Sequence, residues 1–354
     1  MCSTVVKSKC QVMLTWIIPV CNGEKYIAQA IESILRQPCT DLQIIVVDDG
    51  STDATAEIVQ TYLCDRIQLI CKENGGVSSA RNVGIHIASS RYLAFLDADD
   101  IICKDAYTDD IRDMLSTDQY DLISFSYFLG DSHLQYGNRI AVTSGEVCGH
   151  TTQLDPFKHC SSFIYHSKLF EGNNAIQFPE GIKIREDVTF QFLAYQRANN
   201  ILNISKDWFV YRNNPSSVTH RARSYEYIPC YTIPAWVWAK DHCITAESAQ
   251  HCDNRLFWEV TAYIRSSCIA GLPLEKIFEV LEIPAVKAAL SNYDILWDSS
   301  RIEYETFVSD PVKYRRKYRF WGWIRRTIKL IIPVSLVRKC LDKIKYKENI
   351  ASIV

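Results

Sequence analysis

Apolar positions in the first hundred residues switch between two periods. Val12–Val20 is a near-continuous apolar run with β-branched Ile17, Ile18 and Val20, interrupted only near its end by Pro19, and it reads as a strand. In Glu24–Arg36 the apolar residues Ile27, Ala28, Ile31, Ile34 and Leu35 follow the 3.6-residue period of an amphipathic helix. Leu42–Val47 is almost solidly apolar, as expected of a strand buried on both faces. Thr52 or Asp53 can cap a helix that runs to about Leu63, and Ile67–Cys71 is a short strand. Val77, Ala80, Val83 and Ile87 stripe a helix after the Gly75-Gly76 turn, and Tyr92–Leu96 is a fourth strand that delivers Asp97 to its carboxyl end. Strand–helix repeats of this length predict a parallel sheet with helices on both faces. Ligands of such sheets sit beyond the carboxyl ends of the strands.

After Asp105 the pattern is mixed. Asp105–Leu115 reads as helix, Asp121–Phe128 as strand and Gly130–Gly149 as a polar, hairpin-like excursion. Cys160–His166 follows as strand, Val188–Arg197 as helix and Ile201–Tyr211 as strand, which predicts a second lobe laid against the same sheet. From Tyr225 onward helices are expected near 226–246, 251–270 and 273–290, with Pro273 in the first turn of the last. The expected organisation is an α/β domain over 1–225 (halves of about 12–104 and 105–225), a helical extension over 226–310 and a tail over 311–354.

Composition narrows the class. With 354 residues, 47% apolar and 23% charged, the chain has ordinary globular composition, which excludes a disordered, collagenous or disulfide-held protein. None of its 14 cysteines forms a CxxC pair, so a zinc ribbon or thioredoxin-like centre has no support and free thiols in a reducing compartment are expected. Net charge is only −2, against a general nucleic-acid binder, but the average hides an asymmetry. Val312–Lys347 carries 13 Lys/Arg against the single acid Asp342, leaving the rest of the chain at −14. Within it Trp321, Trp323, Ile324, Ile328, Ile331 and Ile332 keep a near-helical period among Arg325, Arg326 and Lys329, which suits a helix lying in the headgroups of an anionic bilayer. A solvated helix packed on the acidic body and an oligomer contact are the alternatives. The N-terminus offers no signal peptide and no apolar stretch approaches the ~20 residues of a membrane span, so a cytoplasmic protein held peripherally at the inner membrane face is expected.

Three acidic clusters could carry chemistry. Asp48-Asp49 directly follows the Leu42–Val47 strand, where a helix cap would use Ser51 to Asp53 and leave the pair unexplained. Asp97-Ala98-Asp99-Asp100 follows the fourth strand, and carboxylates at i and i+2 can approach one hard cation, Mg²⁺ or Mn²⁺, that also ties down phosphate oxygens. Glu186-Asp187 precedes a helix, where acids are favoured by the helix dipole in any case, but a general base is needed and no Ser/His/Asp or Cys/His arrangement stands elsewhere. Neither GxGxxG nor GxxxxGK[ST] occurs; Pro19-Val20-Cys21-Asn22-Gly23 stands where a glycine-rich phosphate loop would be.

The segments WIIPVCNGEKYIAQAIESILRQ, LQIIVVDDGSTD, ENGGVSSARNVGIHIASSRYLAFLDADD and REDVTF, in this order and spacing, resemble the inverting glycosyltransferases of family 2, strongly over 14–101 and more loosely to about 220. The resemblance implies a GT-A fold: a mostly parallel nucleotide-binding sheet flanked by helices, with a mixed acceptor lobe. It implies a UDP-sugar donor, Mn²⁺ or Mg²⁺, and a glycan or lipid-linked saccharide acceptor. Asp49 would accept the N3–H of uracil, with Pro19, Val20 and Asn22 lining the base pocket and Arg81 holding the nucleotide. Asp97 and Asp99, with Ala98 between them, would be the DxD pair, and Asp187, with Glu186 as fallback, the base. The segment YRNNPSSVTHR (211–221) resembles the family's loop behind the active site, where Arg212 or Arg221 would meet the diphosphate and His220 the metal. A DxD phosphatase fits poorly, because the pair follows the fourth strand. A nucleotidyltransferase lacks its basic glycine-rich loop, and a binding protein without activity would not need Asp97, Asp99 and Asp187 intact.

Overall fold

The computed structural model describes residues 12–130, 136–140, 143–148, 159–212, 214, 225, 228–292 and 298–331. Its centre is a ten-stranded sheet. The strands are β1 (Leu14–Val20), β2 (Leu42–Asp48), β3 (Ile67–Cys71), β4 (Tyr92–Phe95), β5 (Ile101–Ile102), β6 (Leu122–Gly130), β7 (Tyr136–Ile140), β8 (Gly145–Cys148), β9 (Phe163–His166) and β10 (Asn200–Arg212). Their order is β3-β2-β1-β4-β9-β6-β10-β5, with β7 on β6 and β8 on β10. The first four strands pair in parallel, as the alternating pattern requires. β9 then enters antiparallel between β4 and β6, and β10 runs parallel to β6, which makes the second lobe a continuation of the same sheet.

Five helices accompany the sheet: α1 (Ile27–Leu35), α2 (Thr55–Gln60), α3 (Val77–Ile87), α4 (Asp109–Ser116) and α5 (Glu186–Arg197). Alternation along the strands sorts the core into two faces. Leu14, Trp16 and Ile18 join α1 residues Ile27, Ala30, Ile31 and Ile34 in one buried cluster, while Ile45 and Val47 meet Ala80 of α3 in another. Trp208 of β10 stacks between Trp16 (centroids 5.2 Å apart) and Phe125 (4.3 Å), tying the first lobe to the second.

Several elements differ from the sequence expectation for local reasons. β5 has two residues, too few for any period, and forms by antiparallel pairing with Phe209 and Val210. α4 starts at Asp109 rather than Asp105, because Asp105 is left-handed (φ 56°) and Thr108 extended. The polar excursion is not one simple hairpin: β7 returns along β6 whereas β8 joins β10. The ten described cysteines are free.

Packing separates residues 1–222 with 234–252 from residues 223–233 with 253–354. Beyond a π-helical turn at Ile228–Thr232, the chain forms α6 (Ile233–Asp241), α7 (Ala246–Ala270), α8 (Leu274–Leu281), α9 (Pro284–Asn292), α10 (Asp298–Ser309) and α11 (Pro311–Ile331). Pro284, at the first position of α9, splits the helix expected over 273–290. The helix expected near 226–246 ends at Asp241, and α10 was not anticipated. Asp310 caps α11 by accepting the Lys313 N–H (2.9 Å), with Pro311 at the first helical position. Within this second unit Glu303 of α10 accepts from the hydroxyls of Tyr314 (2.6 Å) and Tyr318 (3.0 Å), which sets the inner face of α11.

Gly84 sets how closely α3 approaches the sheet. A Cβ there would lie 2.4 Å from Cγ2 of the fully buried Ile17. Alanine normally gains up to about 1 kcal/mol over glycine inside a helix. Here overpacking, typically about 1–3 kcal/mol, outweighs that gain. Gly84→Ala is therefore expected to lower the midpoint of thermal unfolding by a few degrees, and by less in an Ile17→Ala background. An unfolding midpoint raised by G84A alone would refute the close approach.

Candidate active site

The carboxyl ends of β1, β2 and β4 converge. Val20 and Asp48 are register partners, and the Asp49 N–H donates to the Val20 carbonyl (2.8 Å). The turn after Asp49 needs Gly50, whose φ is 78° and whose missing Cβ would lie 3.0 Å from the Asn74 nitrogen. Asp48 accepts from the Ser51 N–H (2.8 Å). Asp49 is buried and its carboxylate is turned to the chain itself. Oδ1 accepts from Lys72 Nζ (2.7 Å) and Gly75 N–H (2.9 Å), and Oδ2 from Gly76 N–H (2.7 Å). One carboxylate thus organises residues 72–76 and sets where α3 begins. Beside it Pro19 and Val20 are buried at the end of β1. Asn22, left-handed at φ 54°, accepts from the Thr52 N–H (2.8 Å).

α3 carries Arg81 into the interior, where its side chain is 1% exposed. Nη2 donates to Asp97 Oδ1 (2.7 Å), Nη1 to Glu186 Oε1 (3.2 Å), and the guanidinium lies 4.9 Å from the Phe178 ring centroid. Phe178 is fixed in turn: Asn82, the next residue of α3, donates to its carbonyl (3.0 Å) and accepts from its N–H (2.8 Å). A buried cation between two acids is the arrangement that makes such burial tolerable.

Around Asp97 the charges are uneven. Burial alone would raise its carboxyl, but Arg81 and His159 hold it far below the usual carboxylate range. His159 Nε2 stands 3.4 Å from Asp97 Oδ2, and despite burial this acid pushes the imidazole up to about 9. Burial and the Asp97 charge raise Asp99, which accepts from Asn214 Nδ2 (3.0 Å). Asp100 is buried and driven well above the normal range by that burial. Its Oδ1 accepts from the Arg212 N–H (2.8 Å), whereas its buried Oδ2 has no partner among the described residues.

Asp97, Asp100 and His159 each offer a ligand atom, and these atoms lie within 4.8 Å of one another. The grouping differs from the expected Asp97, Asp99 and His220; Asp99 faces Asn214, and His220 and Arg221 lie outside the described residues. The donor set of hard oxygens plus one imidazole, with an orphaned buried carboxylate oxygen, fits Mg²⁺ or Mn²⁺. Ala98, between the two acids, is half-buried. His159 escaped the sequence reading because it belongs to no motif. The one available signal was a capping residue ahead of Cys160–His166, and His159 does accept from the Ser161 N–H as the cap of a short 3₁₀ turn.

Arg212 is buried against the first lobe, donating to Gln29 (2.8 Å) with its guanidinium over the Tyr26 ring (4.8 Å). At the start of α5 the left-handed Arg185 (φ 74°) turns the chain into the helix. Burial and the adjacent Asp187 raise the Glu186 carboxyl to about 7, against the pull of Arg81. Asp187 is half-buried, and its Oδ1 accepts from the Val188 N–H (2.8 Å).

Known proteins share this arrangement of strands. The sequence profile described as glycosyl transferase family 2 matches residues 15–171. The uncharacterised glycosyltransferase EpsJ of Bacillus subtilis is 30% identical over 218 residues, 58% of this chain and 63% of EpsJ. The glycosyltransferase GlyA of Streptococcus pneumoniae is 31% identical over 225 residues, again 58% of this chain but 31% of GlyA. The chain therefore spans under two thirds of either relative. Among solved structures, residues 1–349 of Staphylococcus aureus TarS, crystallised with UDP-GlcNAc, superpose with a TM-score of 0.63 at 20% identity, covering 88% of this chain and 89% of TarS 1–349. This likeness establishes the GT-A-like fold. The matched segment, residues 15–171, holds the strands from β1 to β9 and the acids that follow β2 and β4, so this part of the chain carries the sequence pattern of glycosyl transferase family 2.

Proposed function

We propose that this protein is a divalent-metal-dependent inverting glycosyltransferase. It moves a hexose or N-acetylhexosamine from a UDP-sugar to a hydroxyl of a lipid-linked glycan in cell-surface polysaccharide synthesis. The observation that carries this reading is the convergence of Asp97, Asp100 and His159 beyond β4, with a buried Asp100 oxygen that has no partner among the described residues. The match of residues 15–171 to the glycosyl transferase family 2 profile supports the reaction class. The UDP-GlcNAc complex of TarS, which shares the fold, supports the donor class.

Asp97, Asp100 and His159, with Asp99 beside them, would hold the cation. When bound, a divalent cation stabilises the charge that develops on the departing diphosphate. Arg81 keeps Asp97 ionised and in place, and pairs with Glu186. That pairing leaves Asp187 as the acid to take the proton of the acceptor hydroxyl as it attacks the anomeric carbon opposite the diphosphate. One displacement inverts the configuration, and no covalent intermediate is required. Asp49 reaches a uracil N3–H through whatever acceptor capacity its contacts with residues 72–76 leave, at the pocket edged by Pro19, Val20 and Asn22. Arg212 and Arg221 remain the candidates for the diphosphate. The basic segment 311–354 accounts for how a cytoplasmic enzyme meets a lipid-linked acceptor at the inner membrane face.

Two expectations test the reading. Turnover of UDP-sugars should stop in chelator and return with Mn²⁺ or Mg²⁺, and Asp99→Ala should lose most activity while its circular dichroism stays native. Full turnover by folded D99A in chelator would sink the metal assignment. Asp187→Asn should lower kcat roughly 10²–10⁴-fold while UDP affinity, measured by calorimetry with Mn²⁺, stays within about twofold. A large loss of UDP binding in D187N would move this residue from base to donor site.

A further inference from the structure

The outward face of α11 is unusual for a helix of a water-soluble unit. Its inner face is committed: Tyr314 is buried, and both Tyr314 and Tyr318 bond Glu303. At 100° per residue, Val312, Arg316, Phe320 and Trp323 fall within one quadrant roughly opposite those tyrosines, with Lys313 at its edge. All five are exposed, the three apolar ones at 56%, 58% and 59% for Val312, Phe320 and Trp323. The Phe320 and Trp323 rings stack with centroids 6.3 Å apart. Residues 311–331 contain eight Lys/Arg and no acid. The helix is about 31 Å long at 1.5 Å per residue. No helix among the described residues is long and apolar enough to cross a membrane.

We propose that this face of α11 is a bilayer-docking surface: the helix lies flat on an anionic membrane, Phe320 and Trp323 enter the boundary between headgroups and acyl chains, and Lys313 and Arg316 pair with lipid phosphates. The proposal rests on the membrane-side part of the reading above and gives it a defined contact surface. Charge complementarity selects the occupant. An acidic protein surface or RNA would satisfy the cations but leaves three apolar side chains projecting from the same quadrant without an apolar medium. The same face of a second copy would bring like charges together. A headgroup layer serves both kinds of side chain at once. The surface shares Trp323 with the expected 321–332 stripe and adds Val312, Lys313, Arg316 and Phe320 from the first half of the helix.

Co-sedimentation of the full chain with vesicles tests this, using phosphatidylglycerol–phosphatidylcholine mixtures against phosphatidylcholine alone. The wild type should pellet with the anionic vesicles only, and less at high salt. Phe320→Ser with Trp323→Ser, which keeps every charge, should lower partitioning at least tenfold. Lys313→Gln and Arg316→Gln should each lower it roughly fivefold. Thermal unfolding checks that each variant is folded. UDP binding by calorimetry, expected to be unchanged in all of them, keeps failure of the docking surface separate from failure of the donor site. Undiminished pelleting of folded F320S/W323S would overturn the proposal. So would equal binding to neutral vesicles, or a lipid-free dimer or an RNA complex that forms in place of vesicle binding.

Discussion

The buried guanidinium of Arg81 is the constraint around which the site is arranged. Taking a cation out of water costs several kcal/mol even after relaxation, and removing one partner of such a pair typically costs about 3–5 kcal/mol. Arg81 therefore needs both Asp97 and Glu186, which come from the end of β4 and the start of α5. The Phe178 ring backs the guanidinium and stacks on Phe190 of α5 at 3.7 Å, so the apolar and ionic parts of the clamp select the same position of α5. One side chain thereby fixes three chain segments that are distant in sequence, and the acids proposed for metal binding and for proton transfer stand on two of them.

The clamp leaves negative charge in excess. Against Arg81 and His159 stand Asp97, Asp99, Asp100, Glu186 and Asp187. Arg81 and His159 are spent mainly on Asp97, whose carboxyl falls, and burial with neighbouring acids raises the carboxyls of Asp99, Asp100 and Glu186. Like charges that cannot all ionise together are stabilised either by protons or by an external cation. The Asp100 oxygen without a partner among the described residues is the local expression of that excess, and a divalent cation would answer it. The same electrostatics gives His159 its place, since an imidazole beside Asp97 is held cationic or is available as a nitrogen ligand.

Much of this was legible in the sequence because the first lobe obeys simple periods. The two-face alternation of β1 and the 3.6-residue stripes of α1 and α3 place Asp49 and Asp97 at strand ends and Arg81 on the α3 helix from the sequence alone. Other features had no local signal. β5 is two residues long and exists through its pairing with β10. His159 sits in no motif, and only the return of the chain along β9 brings it to Asp97. Asp49 illustrates a third kind of limit: its acidity and position were readable, but its use of both oxygens on Lys72 and two glycine N–H groups is a property of the 72–76 turn. In the helical region the expected helix over 273–290 ran through Pro284, whose fixed φ in fact starts a new helix, and α10 offered a low amphipathic signal and packs on α11.

The adjacent acids of α5 divide their work by helix geometry. Successive residues on an α-helix differ by 100° in direction, so the two side chains cannot both face Arg81. Glu186 is the one that does, and its longer side chain spans the distance to a guanidinium anchored on α3. Arg185 makes this possible by adopting a left-handed conformation immediately before the helix, at a cost of about 1–2 kcal/mol for a side chain of its kind. The turn places Glu186 at the first helical position and leaves Asp187 half-exposed, with one oxygen on its own helix N-terminus. Burial lifts the Glu186 carboxyl to about 7, but a proton accepted there would weaken the pair that holds the Arg81 guanidinium. The ion pair to Arg81 falls on Glu186, so the proposed roles of holding the site and of taking the proton are divided between two adjacent residues.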